Sequence, residues 1–289
     1  MNAPAIDLVV VPYDSGRRGW RMGGGPLALI EHGLGDRLRA LGLEVRVVPV
    51  ELADGGAADQ RAAAFELATS VARAVHRARI ERRFPLVLSG NCNSSLGTMA
   101  GIGGSAGVIW FDAHGDFNTP ETSASGFLDG MSLAILTGRC CTTDAARIPG
   151  FRAVADDAVV LVGARDLDAA ERPLLDASGV RQVAVGAATS EALAAAIEGW
   201  PDTATEAYVH IDLDVLDATE ATVNDYAAAD GLMLPELLAC VDAISAHVPI
   251  GAAAITALDP AADAKGRALA AAIAVIEQIV TRAEPGGPA

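Results

Sequence analysis

The clearest indication of the fold class is the stretch Val108-Ile109-Trp110-Phe111-Asp112-Ala113-His114-Gly115-Asp116. Its first four residues are apolar and include β-branched and aromatic side chains, which predicts a short buried strand. Polar side chains then follow at every second position. In open α/β sheets, ligands bind beyond the carboxyl ends of the strands. The stretch therefore predicts one strand of an α/β sheet with a functional site at its carboxyl end.

A second acidic cluster follows another apolar strand, in His210-Ile211-Asp212-Leu213-Asp214. Side chains two residues apart in an extended segment point the same way, so the polar side chains of each cluster are expected to converge. His210 faces the site by this alternation, either as a ligand or as a histidine of the core. A single acidic loop is often solvated surface or a helix cap. Two such clusters after two strands favour a shared site.

Converging carboxylates repel one another unless a cation lies between them. Carboxylates combined with one or two imidazoles suit Mn²⁺ and similar divalent ions. Two such ions about 3.5–4 Å apart can bridge a water molecule and supply hydroxide at neutral pH. The two clusters therefore predict a hydrolase that holds two divalent metal ions, with Mn²⁺ as the expected metal.

The rest of the chain alternates short apolar runs with Ala- and Leu-rich helical patterns. Strands are predicted over 7–11, 44–50, 85–88, 107–111, 159–162, 180–185, 207–213 and 252–257. Helices are predicted over 26–41, 59–82, 235–247 and 264–282, and a further helix begins at Ser95. This alternation predicts a single α/β domain over 1–289, with a mostly parallel, doubly wound sheet in a three-layer α/β/α arrangement. The tail after Ala283 is expected to be frayed.

Composition limits the partners and the location of the protein. The chain has 289 residues and a formal net charge of −16 at pH 7. So acidic a surface repels nucleic acid and anionic membranes, and neither is an expected partner. No apolar run is long enough to span a bilayer, and the amino terminus lacks the pattern of a signal peptide. The four cysteines form no CxxC motif, which is typical of a cytoplasmic protein.

Both acidic clusters resemble signatures of the arginase/agmatinase ureohydrolases. The first signature is similar to Trp110-Phe111-Asp112-Ala113-His114-Gly115-Asp116-Phe117-Asn118-Thr119-Pro120, and the second to His210-Ile211-Asp212-Leu213-Asp214-Val215-Leu216-Asp217. Three more segments resemble the family in the same order, and the second of them falls where a GGDHS-type ligand loop belongs. They are Val11-Pro12-Tyr13-Asp14-Ser15-Gly16 with Gly25-Pro26, Ser89-Gly90-Asn91-Cys92-Asn93-Ser94-Ser95-Leu96-Gly97, and Gly163-Ala164-Arg165-Asp166-Leu167-Asp168.

The resemblance implies an arginase-like fold and hydrolysis of a guanidino C–N bond by a hydroxide that bridges two Mn²⁺ ions. Asp116 would also hydrogen-bond that hydroxide and so count as catalytic. Assembly as a homo-trimer or hexamer is implied as well. The metal ligands carried over from the signatures are Asp112, His114, Asp116, Asp212 and Asp214. The substrate-binding residues carried over are Asn118 and Ser125, for an α-carboxylate, and Asp168, for an α-amino group.

Cys92 is the first of three departures from the family pattern, because it stands where the first histidine ligand belongs. Counting back from Gly97 gives this register, and Asn93 is the alternative if the loop shifts by one residue. A thiolate can bind a metal, but it is softer than imidazole and adds negative charge. We expect Cys92 to be a ligand. The alternative is a neutral thiol beside a depleted metal position.

Asp129 and Ala257 are the other two departures. Asp129 stands where arginases carry a histidine proposed to shuttle protons. A carboxylate among other carboxylates can have a raised pKa and still transfer protons, so Asp129 is either catalytic or an ordinary loop residue. Ala257 stands where a glutamate should pair with the guanidinium. Losing that ion pair disfavours arginine relative to a less basic analogue such as an N-hydroxyguanidine.

These features predict a metal-dependent amidinohydrolase that acts on a small guanidino substrate. The substrate is arginine or a modified arginine such as N-hydroxyarginine, because Cys92 also resembles the family branch that hydrolyses the latter. One alternative keeps the metals but changes the bond to another linear amidine or an amide. The other is an arginase-like binding or structural protein with impaired catalysis. The five clustered Asp and His residues argue against that second alternative.

Overall fold

The computed structural model describes residues 4–53, 59–104, 106–186 and 189–283. Its centre is an eight-stranded sheet in the order β4-β1-β5-β10-β9-β6-β7-β8, and every neighbouring pair in it is parallel. The strands of this sheet are β1 (Ala5–Val11), β4 (Glu44–Pro49), β5 (Phe84–Ser89), β6 (Ala106–Phe111), β7 (Val159–Val162), β8 (Arg181–Val183), β9 (Glu206–Asp212) and β10 (Ile250–Thr256). A short antiparallel hairpin joins β2 (Tyr13–Asp14) to β3 (Arg17–Arg18).

Helices cover both faces of the sheet. One face is covered by α1 (Gly25–Glu31), α2 (Leu34–Ala40), α8 (Thr189–Glu198), α9 (Leu234–His247) and α10 (Arg267–Arg282), whose apolar side chains form one core cluster with the strands. The opposite face is covered by α3 (Gln60–Ile80), α4 (Ser94–Ile102), α5 (Ser132–Leu136), α6 (Thr142–Ala145) and α7 (Arg172–Asp176), which contribute to a second cluster. The six inner strands are buried on both sides, as aliphatic runs in parallel sheets are, whereas the edge strands β4 and β8 are partly exposed. The predicted three-layer α/β/α fold is confirmed.

All eight predicted strands are present, and their ends differ from the predicted ends by at most two residues. The helical predictions were incomplete in two respects. The helix predicted over 26–41 is interrupted, because Gly33 has φ 79° and separates α1 from α2. Helices α5, α6, α7 and α8 were not predicted. The frayed tail expected after Ala283 lies outside the described residues.

No helix in the described ranges is both long and apolar enough to cross a membrane. The longest of them is α3, which buries only one side, through small and aliphatic residues such as Ala68 and Val71. It begins where the side chain of Asp59 accepts a hydrogen bond from the amide of Ala62 at 2.8 Å. Such a cap satisfies one of the free N–H groups of a first helical turn.

Helices α3 and α4 pack closely, and this packing fixes the loop that carries Cys92. A Cβ atom added to Gly97 would lie 2.2 Å from the carbonyl oxygen of Ala68, which no side chain tolerates. One turn later, a Cβ atom at Gly101 would lie 2.7 Å from the carbonyl oxygen of Ala72. The two glycines thus let the backbones of the helices touch, and α4 starts directly after the loop.

We expect Gly97→Ala to lower the free energy of unfolding by about 1–3 kcal/mol, because α4 must move away from α3. The matched control is Gly35→Ala in α2, where the added methyl meets only the flexible end of Arg39. That control should raise stability by up to about 1 kcal/mol, as alanine favours a helix more than glycine. Chemical denaturation of both variants tests the difference in sign, and a stabilised Gly97→Ala would contradict the close packing.

Candidate functional site

The predicted site lies at the carboxyl ends of four neighbouring strands, β5, β10, β9 and β6. The loops that follow these strands surround a cavity of about 270 Å³. The cavity wall contains Cys92 after β5, Asp116 after β6, Asp212 at the end of β9 and Ala257 after β10. The parallel sheet is what brings these four loops together, although they are far apart in the sequence.

The acidic side chains form two groups that share Asp112. In one group, ligand atoms of Cys92, Asp112 and Asp116 all lie within 4.8 Å of one another. In the other, the same holds for Asp112, His114 and Asp214. The segment after β6 is therefore not simply extended, as alternation had suggested. The segment bends, and Asp116 adopts φ 48°. As a result, Asp116 belongs to the first group and His114 to the second.

Hydrogen bonds fix the orientation of Asp112 and His114. The indole Nε1 of Trp110 donates to Oδ2 of Asp112 at 3.0 Å, and the amide of His114 donates to Oδ1 at 2.7 Å. The imidazole Nδ1 of His114 lies 3.2 Å from Oδ1 of Asp112 and 3.4 Å from Oδ2 of Asp214. The ring therefore bridges the two acidic clusters.

Asp212 lies beside these groups, next to Cys92. Its Oδ2 atom is 3.1 Å from the Sγ atom of Cys92, and its Oδ1 atom accepts from the amide of Asp214 at 2.9 Å. Asp214 itself lies in a 3₁₀ turn after the strand, where its Oδ1 atom also accepts from the amide of Ala113. This bond joins the two clusters through the backbone as well.

Arg165 holds the loop that follows Asp214. Its guanidinium donates to backbone carbonyls only, including those of Asp214 at 2.9 Å, Ala228 at 3.1 Å and Ala229 at 2.8 Å. These bonds tie the 3₁₀ turn after β9 to a later part of the same loop, which carries Tyr226 at the cavity wall. Arg165 therefore acts as a brace and is not itself part of the cavity wall.

His210 belongs to the core beneath the site. It is completely buried and stacks on Trp110, with ring centroids 3.7 Å apart. Its Nδ1 atom lies 2.9 Å from the hydroxyl of Tyr208, and its Nε2 atom lies 3.4 Å from the hydroxyl of Thr256. Burial lowers the pKa of His210 to about 3, so the ring is neutral. His210 lies in neither of the two groups that could hold a metal.

Burial and mutual repulsion perturb the acids of the site strongly. In the polypeptide alone, burial first and then the charges of Asp112 and Asp129 raise the pKa of Asp116. Burial and the charge of Asp214 raise the pKa of Asp212 in the same way. Burial, together with the charges of Asp212 and Asp129, holds the pKa of the Cys92 thiol well above its usual range. Each shift shows that the site disfavours further negative charge.

His114 is the chain's own positive charge in this cluster. Burial lowers the pKa of its imidazole, but the hydrogen bonds to Asp112 and Asp214 outweigh burial and raise the pKa well above its ordinary value. For Asp214, burial acts to raise the pKa, and the bond to His114 more than offsets it, so the pKa falls. The pairing with His114 therefore stabilises the ionised form of Asp214.

The residues present fit bound divalent ions on two independent grounds. The Oδ2 atom of Asp116 is buried and has no hydrogen-bond partner among the described residues. Such an orphaned carboxylate oxygen is costly unless a cation or water satisfies it. The donor set of carboxylates, one imidazole and one sulfur is also of the type that transition metals bind. The two groups around Asp112 are two separate sets of three possible ligands.

Asp129 lies in the cavity wall and is not an exposed loop residue. Its carboxylate is buried, and burial raises its pKa to about 7 despite hydrogen bonds from Asn93 and Asn91. The residues that the family resemblance implied as substrate-binding also line this wall, namely Asn118, Ser125 and Asp168. The Nδ2 atom of Asn118 donates to Oδ2 of Asp168 at 3.0 Å, which joins two of them.

Several residues of the cavity wall were not predicted, and three of them make polar contacts or come from an irregular loop, namely Glu171, Asn224 and Tyr226. Glu171 is buried, and its carboxylate accepts from the amides of Phe117 at 2.7 Å and Asp168 at 3.2 Å. Its place three residues after Asp168 was the only available signal. Asn224 and Tyr226 come from the irregular loop after β9, where no periodicity marks a residue as facing inward.

Ala257 confirms that the wall has no acid at the position expected for a glutamate. Its side chain is buried at the cavity, and its backbone adopts φ 66°, which is uncommon for a residue other than glycine. The Nδ2 atom of Asn224 donates to its carbonyl at 3.0 Å and stabilises this conformation. The neighbouring acid Asp259 is not part of the cavity wall.

Comparison with known proteins agrees with this geometry. The model of the arginase family matches residues 5–281. An N(omega)-hydroxy-L-arginine amidinohydrolase from Streptomyces lavendulae is 36% identical over 169 residues, which cover 57% of this chain and 58% of that protein. An arginase from Bacillus caldovelox is 29% identical over 291 residues, 94% of this chain and 96% of that protein. The crystal structure of arginase from Bacillus cereus has a TM-score of 0.84 at 27% identity, covering 95% of this chain and 98% of that one.

A parallel sheet with carboxylate-rich loops at its carboxyl edge, together with these similarities, defines a hydrolase of the ureohydrolase class. The chain belongs to the arginase family. The predictions of the family and of a hydrolase of this class are confirmed. The individual metal-binding, catalytic and substrate-binding residues stay predictions.

We expect Asp116→Asn to raise the free energy of unfolding of the metal-free protein by about 1–2 kcal/mol, because it removes a buried charge that other carboxylates repel. Denaturant unfolding after treatment with a chelator measures this change. Asp202→Asn, at an exposed position far from the cluster, is the matched control and should change stability by less than about 0.5 kcal/mol. A destabilised Asp116→Asn would show that this carboxylate is satisfied without metal.

Proposed function

We propose that this protein is a metal-dependent amidinohydrolase that hydrolyses the guanidino C–N bond of N(omega)-hydroxy-L-arginine in preference to arginine. One observation carries the proposal. The cavity that holds the acidic cluster has Ala257 where a glutamate would pair with a guanidinium, and it has Cys92 and Asp129 in place of two histidines. The similarity to an amidinohydrolase named for this substrate supports the same choice.

Two divalent ions, with Mn²⁺ as the preferred metal, are assigned to the two groups around Asp112. When bound, such ions lower the pKa of water and so supply the nucleophile for hydrolysis at neutral pH. The assigned ligands lie at the ends of β5, β6 and β9, where all are buried except the half-buried His114, and Asp212 joins the groups through its contact with Cys92. They are Cys92, Asp112, His114, Asp116, Asp212 and Asp214.

Two carboxylates are assigned to proton handling. The free Oδ2 atom of Asp116 can accept a hydrogen bond from the attacking water, since nothing else in the described chain occupies it. Asp129 has a pKa of about 7 because of burial, so it can hold and release a proton near neutral pH, where general acids and bases are most effective. A leaving amine needs such a proton.

The far end of the cavity is assigned to the amino-acid part of the substrate. Among the described residues of its wall, none is lysine or arginine, so a carboxylate must be received by neutral donors. Asn118 and Ser125 are the donors assigned to the α-carboxylate. Asp168 is assigned to the α-amino group, and Glu171 orients its backbone by accepting from its amide. Agmatine has no α-carboxylate and should therefore be a poor substrate.

Preference for the hydroxylated substrate follows from what Ala257 lacks. A desolvated guanidinium without an ion-pair partner loses several kcal/mol of binding, by the general cost of a buried unpaired charge. An N-hydroxyguanidine is less basic and suffers less from that loss. The methyl group of Ala257 also leaves space in the wall for an added hydroxyl group. Arginine is therefore the weaker substrate.

We expect the Mn²⁺-loaded protein to release hydroxyurea from N(omega)-hydroxy-L-arginine with a kcat/KM at least tenfold above that for urea release from arginine. Agmatine and guanidino acids are assayed separately as alternative substrates. Equal rates with agmatine would contradict the assignment of Asn118 and Ser125. Absence of turnover with every guanidino compound, despite bound metal, would contradict the proposed function and favour another amide substrate or a non-catalytic role.

Ala257→Glu should raise the ratio of kcat/KM for arginine to that for N(omega)-hydroxy-L-arginine at least tenfold, because the new carboxylate pairs with the guanidinium. A tenfold change corresponds to about 1.4 kcal/mol of discrimination. Ala257→Gln is the matched control, since it adds the same volume without charge, and it should not raise the ratio. If both variants change the ratio equally, size and not charge determines the preference.

Cys92→Ala should remove one bound metal ion per chain or weaken its affinity at least tenfold, as measured by elemental analysis and calorimetry. Cys240→Ala is the control, because Cys240 is buried in α9 on the other face of the sheet. It should leave the metal content unchanged. Equal metal content and affinity in wild type and Cys92→Ala would remove Cys92 from the ligand set.

The expected cellular setting completes the proposal. A cytoplasmic location and assembly as a homo-trimer or hexamer rest on the cysteine usage of the sequence and on the family. Light scattering of the purified protein measures the mass of the assembly directly. A monomer in solution would contradict the predicted oligomer without affecting the assignment of the cavity.

A further inference from the structure

The two asparagines that flank Cys92 both donate hydrogen bonds to Asp129. The Nδ2 atom of Asn91 donates to Oδ2 of Asp129 at 2.8 Å. The backbone amide of Asn93 donates to Oδ1 at 3.0 Å, and its Nδ2 atom donates to the same oxygen at 2.8 Å. Both oxygens of one buried carboxylate are thus held by the loop that carries Cys92.

The orientation of the Asn91 amide follows from its other contacts. Its Oδ1 atom accepts from the backbone amide of Ser15 at 2.9 Å, and a flipped amide would face that donor with a second donor. The NH₂ group must therefore point to Asp129. Asn93 is fixed in the same way, because a flipped side chain would direct its oxygen at the Asp129 carboxylate.

The sequence of the loop agrees with this contact. In the GGDHS-type loop that the segment resembles, an acid takes the place of Asn91 and serine takes the place of Asn93. An acid at position 91 would stand 2.8 Å from the carboxylate of Asp129, where like charges repel. An amide at this position turns the repulsion into a charge-assisted hydrogen bond.

We propose that Asn91 and Asn93 are positioning residues for Asp129, and that positions 91, 92, 93 and 129 form one interdependent unit. The asparagines hold the carboxylate of Asp129 in a single orientation at the cavity wall. They also tie its position to the loop that carries Cys92. This inference rests on the proposed function in one respect, namely that Asp129 takes part in turnover.

The sharpest test is a double-mutant cycle with Asn91→Asp and Asp129→Asn. Asn91→Asp keeps the size of the side chain and the acceptor for the Ser15 amide. It also places a second carboxylate in hydrogen-bond range of the Asp129 carboxylate, so that the two repel each other. In the background of Asp129→Asn, the new amide keeps its oxygen on the Asn93 donors and turns its NH₂ group to the new acid. The nearby acid Asp14, 3.4 Å from the Asn91 amide, opposes the change in both backgrounds and so cancels.

We expect Asn91→Asp to lower kcat at least tenfold in the wild-type background, with KM changed less than threefold. In the Asp129→Asn background, the same change should lower kcat less than twofold. The unfolding midpoint of the Mn²⁺-loaded protein should show the same inequality. A residue that supports only the general fold would lower both quantities equally in the two backgrounds, and that result overturns the proposal.

Asn224→Asp is the matched control, because Asn224 is also buried and its Nδ2 atom lies 3.5 Å from a carboxylate oxygen of Asp214. Its effect should be the same with and without Asp129→Asn. If Asn91→Asp fails to fold, Asn93→Ser carries the cycle together with Asp129→Ala, because alanine leaves no acceptor for the Asn93 side chain and the loss of that donor should then have little further effect. If wild type turns over no guanidino compound, the proposed function fails, while the unfolding midpoints still decide whether the positions are coupled.

Discussion

Repulsion among buried carboxylates is the constraint on which the site depends. Asp112, Asp116, Asp212 and Asp214 are all buried where β6 and β9 end. Burial and neighbouring charges raise the pKa of most of these acids, while Asp214 alone is lowered through His114. The polypeptide therefore supplies one positive charge to a cluster that requires more. A close-packed core on both faces of the sheet provides the stability that keeps such a cluster in place.

The cysteine makes this dependence stronger on one side of Asp112. An imidazole is neutral when it binds a metal, whereas a thiol must lose a proton and adds a negative charge. The Cys92 thiol resists ionisation because it is buried beside Asp212. On the proposed ligand set, Cys92 must therefore lose its proton when a cation binds, and the thiolate and the cation would then stabilise each other. His114, whose pKa is raised by Asp112 and Asp214, must lose a proton as well, so metal binding on both sides of Asp112 is linked to proton release.

Local sequence patterns were sufficient for the strands and for the acidic clusters, because both depend on short-range alternation. They failed where long-range packing decides. The helical pattern continues through Gly33, but the positive φ of that glycine divides the helix. Glu171 and Asn224 reach the cavity from irregular loops, which carry no period. The bonds from Asn91 and Asn93 to Asp129 join residues 36 or 38 positions apart, and only the fold brings them together.

Ala257 combines a small side chain with a backbone conformation that is unusual for alanine. Alanine gains nothing from φ 66°, a conformation that is unfavourable for a residue with a Cβ atom. Asn224 nevertheless holds its carbonyl in that position, and 95% of the chain superposes on the arginase from Bacillus cereus with a TM-score of 0.84. A longer side chain at position 257 would start from this backbone conformation at the wall of the cavity. On the proposed function, the presence or absence of an acid at this position determines which charge the cavity accepts at the reacting end of the substrate.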